Sequence, residues 1–270
     1  MRHAAGRGTK DETMDMSDNI LLSTIDPRGV ATLTLNRPAV HNAFNDALIA
    51  RLDEAFSGLG ADPKVRVIVL AGAGKSFCAG ADLNWMKAMA GYSEAENIAD
   101  SNRLGDMLYR IHSCPKPTLA RIHGAALAGG VGLVSACDIA VAGAQASFAI
   151  TEVRLGLVPA NIACYLVPTI GPHALRRYAM TAQRFDAAEA RRIGLVDEVA
   201  PAEDLDAAVA SIVESLLAAG PQALAECKKL IDHVAGPLSE KMRRDTAAWL
   251  ARVRVGDEAQ HRMHAFLNKR

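Results

Sequence analysis

Two hydrophobic periods share this chain. From Val30 to Leu35, "VATLTL" alternates branched and polar residues, the two-residue repeat of a strand. "NRPAVHNAFN" then reads as a turn. "DALIARLDEAFSGL" switches to helical spacing, with Leu48, Leu52, Ala55 and Phe56 on one face. "VRVIVLAG", from Val65, is apolar throughout, as a strand buried on both faces is. A glycine-rich loop, "GAGKSFCAGADL", follows. "SEAE", Ser93 to Glu96, fits a capping box, and the helix it opens runs to about His112 with a stripe of Ile98, Leu104, Met107, Leu108 and Ile111. "PTLARI" reads as a strand, "HGAALAGGVGLVSAC" as a turn entering a helix, and "DIAVA" and "SFAI" as two short strands. From Pro172 onward the pattern is helical, interrupted at Gly194, Pro201, Gly220-Pro221 and Gly236-Pro237. Alternating strands and helices followed by helices alone predict an α/β core with a helical C-terminal part. No tandem sequence repeat stands out.

Length and composition narrow the class. The chain has 270 residues, half of them hydrophobic (50%), enough for one sizeable core. Lys plus Arg and Asp plus Glu both number 30. A formal net charge of zero gives no electrostatic reason to expect nucleic acid or an anionic membrane as partner. No apolar run reaches the roughly 18 residues of a membrane helix. The five cysteines, Cys78, Cys114, Cys137, Cys164 and Cys227, form no C-x-x-C pair, which points to reduced thiols in a cytoplasmic protein and to no metal site. Residues 1–17 are polar, lack the apolar core of a signal peptide and contain Met14 and Met16 as alternative starts, so a disordered leader is expected there.

Two loops share one chemistry: "SFCAGADLNWM", Ser76 to Met86, and "HGAALAGGVGL", His123 to Leu133. Each puts small residues where the backbone turns into a helix, so that main-chain N–H groups are open to a ligand and favour negative charge. If the loops converge, two amides grip one carbonyl oxygen and stabilise an enolate. Tight glycine packing is the alternative for either loop alone. "GAGKS" is not a phosphate-binding P-loop, because position 69 is Val where G-x-x-x-x-G-K-S/T requires Gly. Downstream, Glu152 lies among Phe148, Ile150, Val153 and Leu155, where desolvation would raise its pKa and suit it to proton transfer. A structural ion pair with Arg154 or Arg176 is the alternative.

"NRPAVHNAFN", "FCAGADLNWM", "HGAALAGGVGLVSACDIAVA" and "TEVRLGLVP", in this order, resemble the enoyl-CoA hydratase/isomerase, or crotonase, family over roughly Ile20 to Lys269. Within it, "AGADLNWM", "GGVGLVSACDIA" and "TEVRLGLVPA" look most like bacterial methylglutaconyl-CoA hydratases of leucine breakdown. The resemblance implies a spiral core of ββα units, 18–205, and a C-terminal helical trimerisation region, 206–270, in trimers or stacked hexamers. It implies an acyl-CoA thioester substrate, with coenzyme A entering only as part of that substrate and no other cofactor. The thioester oxygen would be held by the N–H groups of Ala81 and Gly129, with Glu152 as acid/base. Ala79, Gly80, Asp82 and Leu83 of the first loop, and Gly130 and Gly132 of the second, would line the substrate path.

One position departs from the family pattern. The two-acid hydratases carry a glutamate three residues after the oxyanion glycine and another twenty residues further on; here these positions hold Gly132 and Glu152. Hydration with a single carboxylate ranks first, with 3-methylglutaconyl-CoA as a possible substrate. Double-bond isomerisation, which needs only one carboxylate, ranks second, and a non-catalytic acyl-CoA-binding protein third. RNA binding, attached to one relative in the subgroup, finds no aromatic-basic module here.

Other residues have blander expectations. Asp82 suits an N-cap of the helix "LNWMKAM". Trp85 and Met86 fit a core, His123 a structural hydrogen bond, and Cys78 and Cys164 small packing roles. His41 is a possible acid, and Tyr165 and Asn161 are weak candidates for a polar contact. Arg37 and Lys64 are conceivable partners of CoA phosphates, and Lys228 and Lys229 fit a solvated helix face.

Overall fold

The computed structural model describes residues 20–89, 91–236, 256–258 and 261. The expected leader at 1–17 and most of 237–270 lie outside the described residues.

A hairpin opens the fold, with β1 (Leu21–Ile25) antiparallel to β2 (Val30–Leu35), and α1 (Asp46–Ala61) follows. Three units then repeat one plan. The first is β3 (Val67–Gly72), β4 (Ser76–Cys78), α2 (Leu83–Met89) and α3 (Glu94–His112). The second is β5 (Thr118–Ile122), β6 (Ala125–Leu127) and α4 (Gly129–Ala136). The third is β7 (Ile139–Gly143), β8 (Ser147–Ala149), a 3-10 turn at Glu152–Leu155, and α5 (Ala160–Thr181). β9 (Phe185–Asp186), α6 (Ala187–Ile193), β10 (Glu198–Ala200), α7 (Leu205–Ala218) and α8 (Pro221–Val234) complete the described chain. The first strand of each unit enters a six-stranded sheet ordered β1-β2-β3-β5-β7-β10, and the second enters a four-stranded sheet ordered β4-β6-β8-β9. Pairings between units are parallel. This is a mixed α/β fold built as a ββα repeat, with helices at its C-terminal end.

Residue type explains the layers. In β3, Ile68 and Leu70 face the main core, while Val67 and Val69 face a second cluster with Val209 and Val213 of α7. Helices cover both faces of the strand, which is why it reads as a continuous apolar run. Each such residue contributes about 1.5–3 kcal/mol when fully buried. Leu48, Leu52 and Phe56 of α1 are buried as their spacing predicts, joined by Ile49. α3 starts at the predicted capping box, with Ser93 Oγ accepting from Glu96 N–H and the Glu96 carboxylate accepting from Ser93 N–H.

Several expectations change. Ile98 belongs to the predicted stripe of α3 yet is 55% exposed, so only the C-terminal half of that helix, around Met107, Leu108 and Ile111, enters the core. The last long helix of the third unit starts at Ala160 rather than after Pro172. Gly171, at φ 74° and ψ 158°, breaks it and Pro172 follows, so the sequence boundary marks a kink. "SFC", taken as part of a loop, forms β4. Lys228 is not solvated: its Nζ lies 2.8 Å from Asp138 and 3.2 Å from the Lys116 carbonyl, fastening α8 to the β5–β7 corner.

Candidate active site

The first glycine loop is held by main-chain bonds that skip Ala81. Ala79 N–H donates to the His41 carbonyl at 3.0 Å, Phe44 N–H to the Gly80 carbonyl at 2.6 Å, and Asp82 N–H to the Phe44 carbonyl at 2.7 Å. The Ala81 N–H meets no acceptor among the described residues. The partner segment is itself fixed. Asn42, fully buried and left-handed at φ 57°, donates its Nδ2 to the Ala73 and Ser76 carbonyls, each at 2.8 Å.

Asp82, expected among the substrate contacts, is bonded within the protein. Its Oδ2 pairs with Arg37 at 2.8 Å and its Oδ1 accepts from Asn84 N–H at 2.8 Å, at the start of α2. The capping expectation therefore fits, and Arg37 serves Asp82 and the Ala43 carbonyl rather than a phosphate. Burial works to raise the Asp82 pKa, but the Asn84 N–H and the Arg37 guanidinium hold it below the usual aspartate value.

The second loop lies against the first. A Cβ built on Gly80, which sits at φ 89°, would be 3.0 Å from the Leu127 carbonyl and 3.7 Å from the Gly129 nitrogen. Only glycine admits that approach in that conformation. Ala128 turns the chain at φ 48° and ψ −117°, a costly conformation for a residue with a Cβ, and Gly129 opens α4 immediately after it. The Gly129 N–H also meets no acceptor among the described residues. Each glycine of "AGGVG" has its own tight neighbour. A Cβ on Gly129 would be 2.9 Å from the Phe44 ring, one on Gly130 2.3 Å from the Cys78 carbonyl, and one on Gly132 2.3 Å from the Ile162 methyl Cγ2. Gly130 and Gly132, expected along the substrate path, are buried against these groups. Leu83 is 73% exposed at the start of α2.

Glu152 begins the 3-10 turn after β8. Its side chain is half-buried, and its Oε2 is shielded from solvent without a hydrogen-bond partner among the described residues. Burial raises its pKa above the ordinary 4.5 of a glutamate, against a lesser pull from the Glu152 and Thr151 N–H groups. Phe148 and Ile150 are fully buried beneath it, whereas Val153 and Leu155 point outward at 38% and 59% exposure. The ion-pair alternative fails: Arg154 donates to the Ala182 carbonyl at 2.8 Å, and no cation pairs with Glu152 among the described residues.

The remaining candidates are structural or peripheral. His123 Nε2 lies 2.9 Å from the Gly74 carbonyl, and His41 Nδ1 is 3.0 Å from Ser76 Oγ. Trp85 packs on the core. Cys78 is buried, with its thiol pushed up to about 12, but Cys164 is exposed, against expectation. Asn161 donates to the Ser101 carbonyl at 3.2 Å, and Tyr165 packs edge-on to His112 at 5.4 Å. Sequence reasoning missed Phe44 and Ile162, which shape the two loops through single contacts that no periodicity reveals.

The family model described as enoyl-CoA hydratase/isomerase matches residues 26–270. The chain is 33% identical over 251 residues to a peroxisomal Delta(3,5)-Delta(2,4)-dienoyl-CoA isomerase of Arabidopsis thaliana, covering 88% of this chain and 90% of that protein. It is 34% identical over 210 residues to a crotonyl-CoA hydratase of Syntrophomonas wolfei, covering 77% and 78%. The crystal structure of an enoyl-CoA hydratase from Shewanella pealeana superposes with a TM-score of 0.91 at 36% identity, covering 97% of this chain and 98% of that one. The chain belongs to the enoyl-CoA hydratase/isomerase family.

Proposed function

We propose that this protein adds water across the double bond of an α,β-unsaturated acyl-CoA, using Glu152 as its single proton carrier. The carrying observation is the Glu152 Oε2, desolvated and without a partner among the described residues, in the same chain as two main-chain N–H groups on adjoining loops that likewise meet no acceptor there. In this reading the Ala81 and Gly129 N–H groups hold the thioester oxygen. Water attacks Cβ while the Glu152 carboxylate takes one of its protons. The electron pair of the double bond moves onto the thioester oxygen as an enolate, which the two N–H groups stabilise. The enolate then collapses and takes the proton from Glu152 at Cα, returning the carboxylate to its starting state. A raised pKa suits this cycle, because the group must both accept and release a proton.

A second reading, double-bond isomerisation, draws on the same carboxylate. The atoms nearest to where a Gly132 side chain would be are carbons of Ile162 and Leu108, which offer a water no hydrogen bond. Glu152 would then move a proton from the α-carbon of a 3-enoyl-CoA to its γ-carbon.

The motif resemblance makes 3-methylglutaconyl-CoA the first branched substrate to try. Incubation with crotonyl-CoA, 3-methylglutaconyl-CoA and a 3-enoyl-CoA separates the readings, with hydration read by product mass and bond migration by the ultraviolet absorbance of the conjugated enoyl thioester. Gain of one water on either 2-enoyl substrate supports hydration. Turnover of the 3-enoyl ester alone, without change of mass, establishes isomerisation instead. Binding of all three without turnover overturns both.

A further inference from the structure

Phe44 touches both glycine loops. Its main chain brackets Ala81, donating to the Gly80 carbonyl at 2.6 Å and accepting from Asp82 N–H at 2.7 Å. In such a bridge the intervening residue's N–H faces the other side. Its ring is 1% exposed, and its edge atoms Cε2 and Cδ2 stand 2.9 Å and 3.1 Å from where a Gly129 Cβ would be. The same residue therefore ties down the segment carrying one free amide and abuts the residue carrying the other. Phe44 is itself anchored on both sides. Asn42 is buried and bonded to two carbonyls, and Asn45 caps α1 by accepting from Leu48 N–H at 2.9 Å.

We propose that Phe44 is a positioning residue, whose ring fixes the separation of the Ala81 and Gly129 N–H groups so that both reach one thioester oxygen. This inference rests on the oxyanion site of the proposed function. A shorter side chain opens a gap between the loops and lets α4 settle toward β4. A displacement near 1 Å at such a site costs on the order of 10²-fold in rate. The ring also explains why position 129 is glycine, since any side chain there displaces Phe44 and with it the strand bridge to Gly80 and Asp82.

The test uses Phe44→Leu and the milder Phe44→Met in the full chain. Three quantities are read on each: kcat for crotonyl-CoA, the Kd of butyryl-CoA, and the red shift of bound dimethylaminocinnamoyl-CoA, whose absorption reports polarisation of its thioester carbonyl. Phe44→Leu is expected to lower kcat about 10–10²-fold, to shrink the red shift, and to leave the butyryl-CoA Kd nearly unchanged. Phe44→Met, longer than Leu, is expected to restore part of both kcat and red shift. Gly129→Ala is expected to be less harmful in the Phe44→Leu background than alone, because the shorter side chain makes room. Unchanged kcat and red shift in both Phe44 variants overturn the positioning role while leaving the site intact. Absence of any red shift in the parent protein overturns the oxyanion site itself, and the role with it.

Discussion

Ile162 occupies the space that a side chain on Gly132 would need: a Cβ at that position would lie 2.3 Å from its Cγ2 and 3.1 Å from its Cβ. Both residues are buried, one on α4 and the other on α5, so neither helix has solvent into which to displace the overlap. Gly132→Ala is expected to destabilise by about 1–3 kcal/mol through overpacking. Ile162→Ala alone is expected to cost about 2–5 kcal/mol through the cavity it leaves. Because the added methyl fills that cavity, the double variant should be more stable than the sum of the two losses. Denaturant unfolding of the four proteins measures this, and simple additivity would contradict the packing described.

Glu152 gives a stability signature with an unusual sign. Its folded pKa is raised, so the folded protein binds the proton more tightly than the unfolded chain. The ionised form therefore costs stability above the folded pKa, and that cost disappears as pH falls below the unfolded value near 4.5. Glu152→Gln should raise the melting temperature at neutral pH, with the gain fading to nothing under acid conditions. A gain that grows on acidification contradicts the burial of that carboxyl.

Arg37 and Asp82 form an ion pair with side-chain exposures of 17% and 7%. Arg37→Met leaves the Asp82 carboxylate buried without its cation, and a loss of about 3–5 kcal/mol is expected. The Asp82 pKa is depressed, so the parent gains stability from this site above the unfolded pKa and loses it as pH falls through the lower folded value. The penalty of Arg37→Met should accordingly shrink in acid. A variant as stable as the parent at pH 7 would show that the pair is not what anchors the loop.

Ala128 carries backbone strain directly before Gly129, with φ 48° and ψ −117°. Such conformations cost on the order of 1–3 kcal/mol in a residue with a Cβ, while glycine adds about 0.5–1 kcal/mol of unfolded-state entropy. Ala128→Gly should therefore leave the protein unchanged or more stable by thermal melting. A clear loss would mean that the turn is not strained.

Much of this architecture is legible in the residues. Periodicity gives α1, α3 and the central strands, because each runs long enough to show its period. Periodicity alone does not show the ββα plan, which only the motif resemblance implies: of its second strands "SFA" reads as a strand, but "SFC" and "AAL" have three residues each and too few positions to alternate. The plan exists in how the strands pair, with no sequence repeat to mark it. At the site, the glycine loops and Glu152 stand out by residue type. What the glycines touch does not, because Phe44, Cys78 and Ile162 reach them across the fold. Asp82 illustrates the limit: its type suits a ligand contact, but its partner Arg37 lies 45 positions away in sequence.

The proposed reaction needs one carboxylate, that of Glu152, together with the main-chain N–H groups of Ala81 and Gly129. Its most direct test is the hydration rate of Glu152→Gln on crotonyl-CoA, with butyryl-CoA binding measured on the same preparation. The amide keeps the shape of the side chain but carries no proton between water and Cα. The predicted result is a fall in kcat of about 10²–10⁴-fold with binding unchanged. Hydration within about tenfold of the parent, at equal binding, would contradict it.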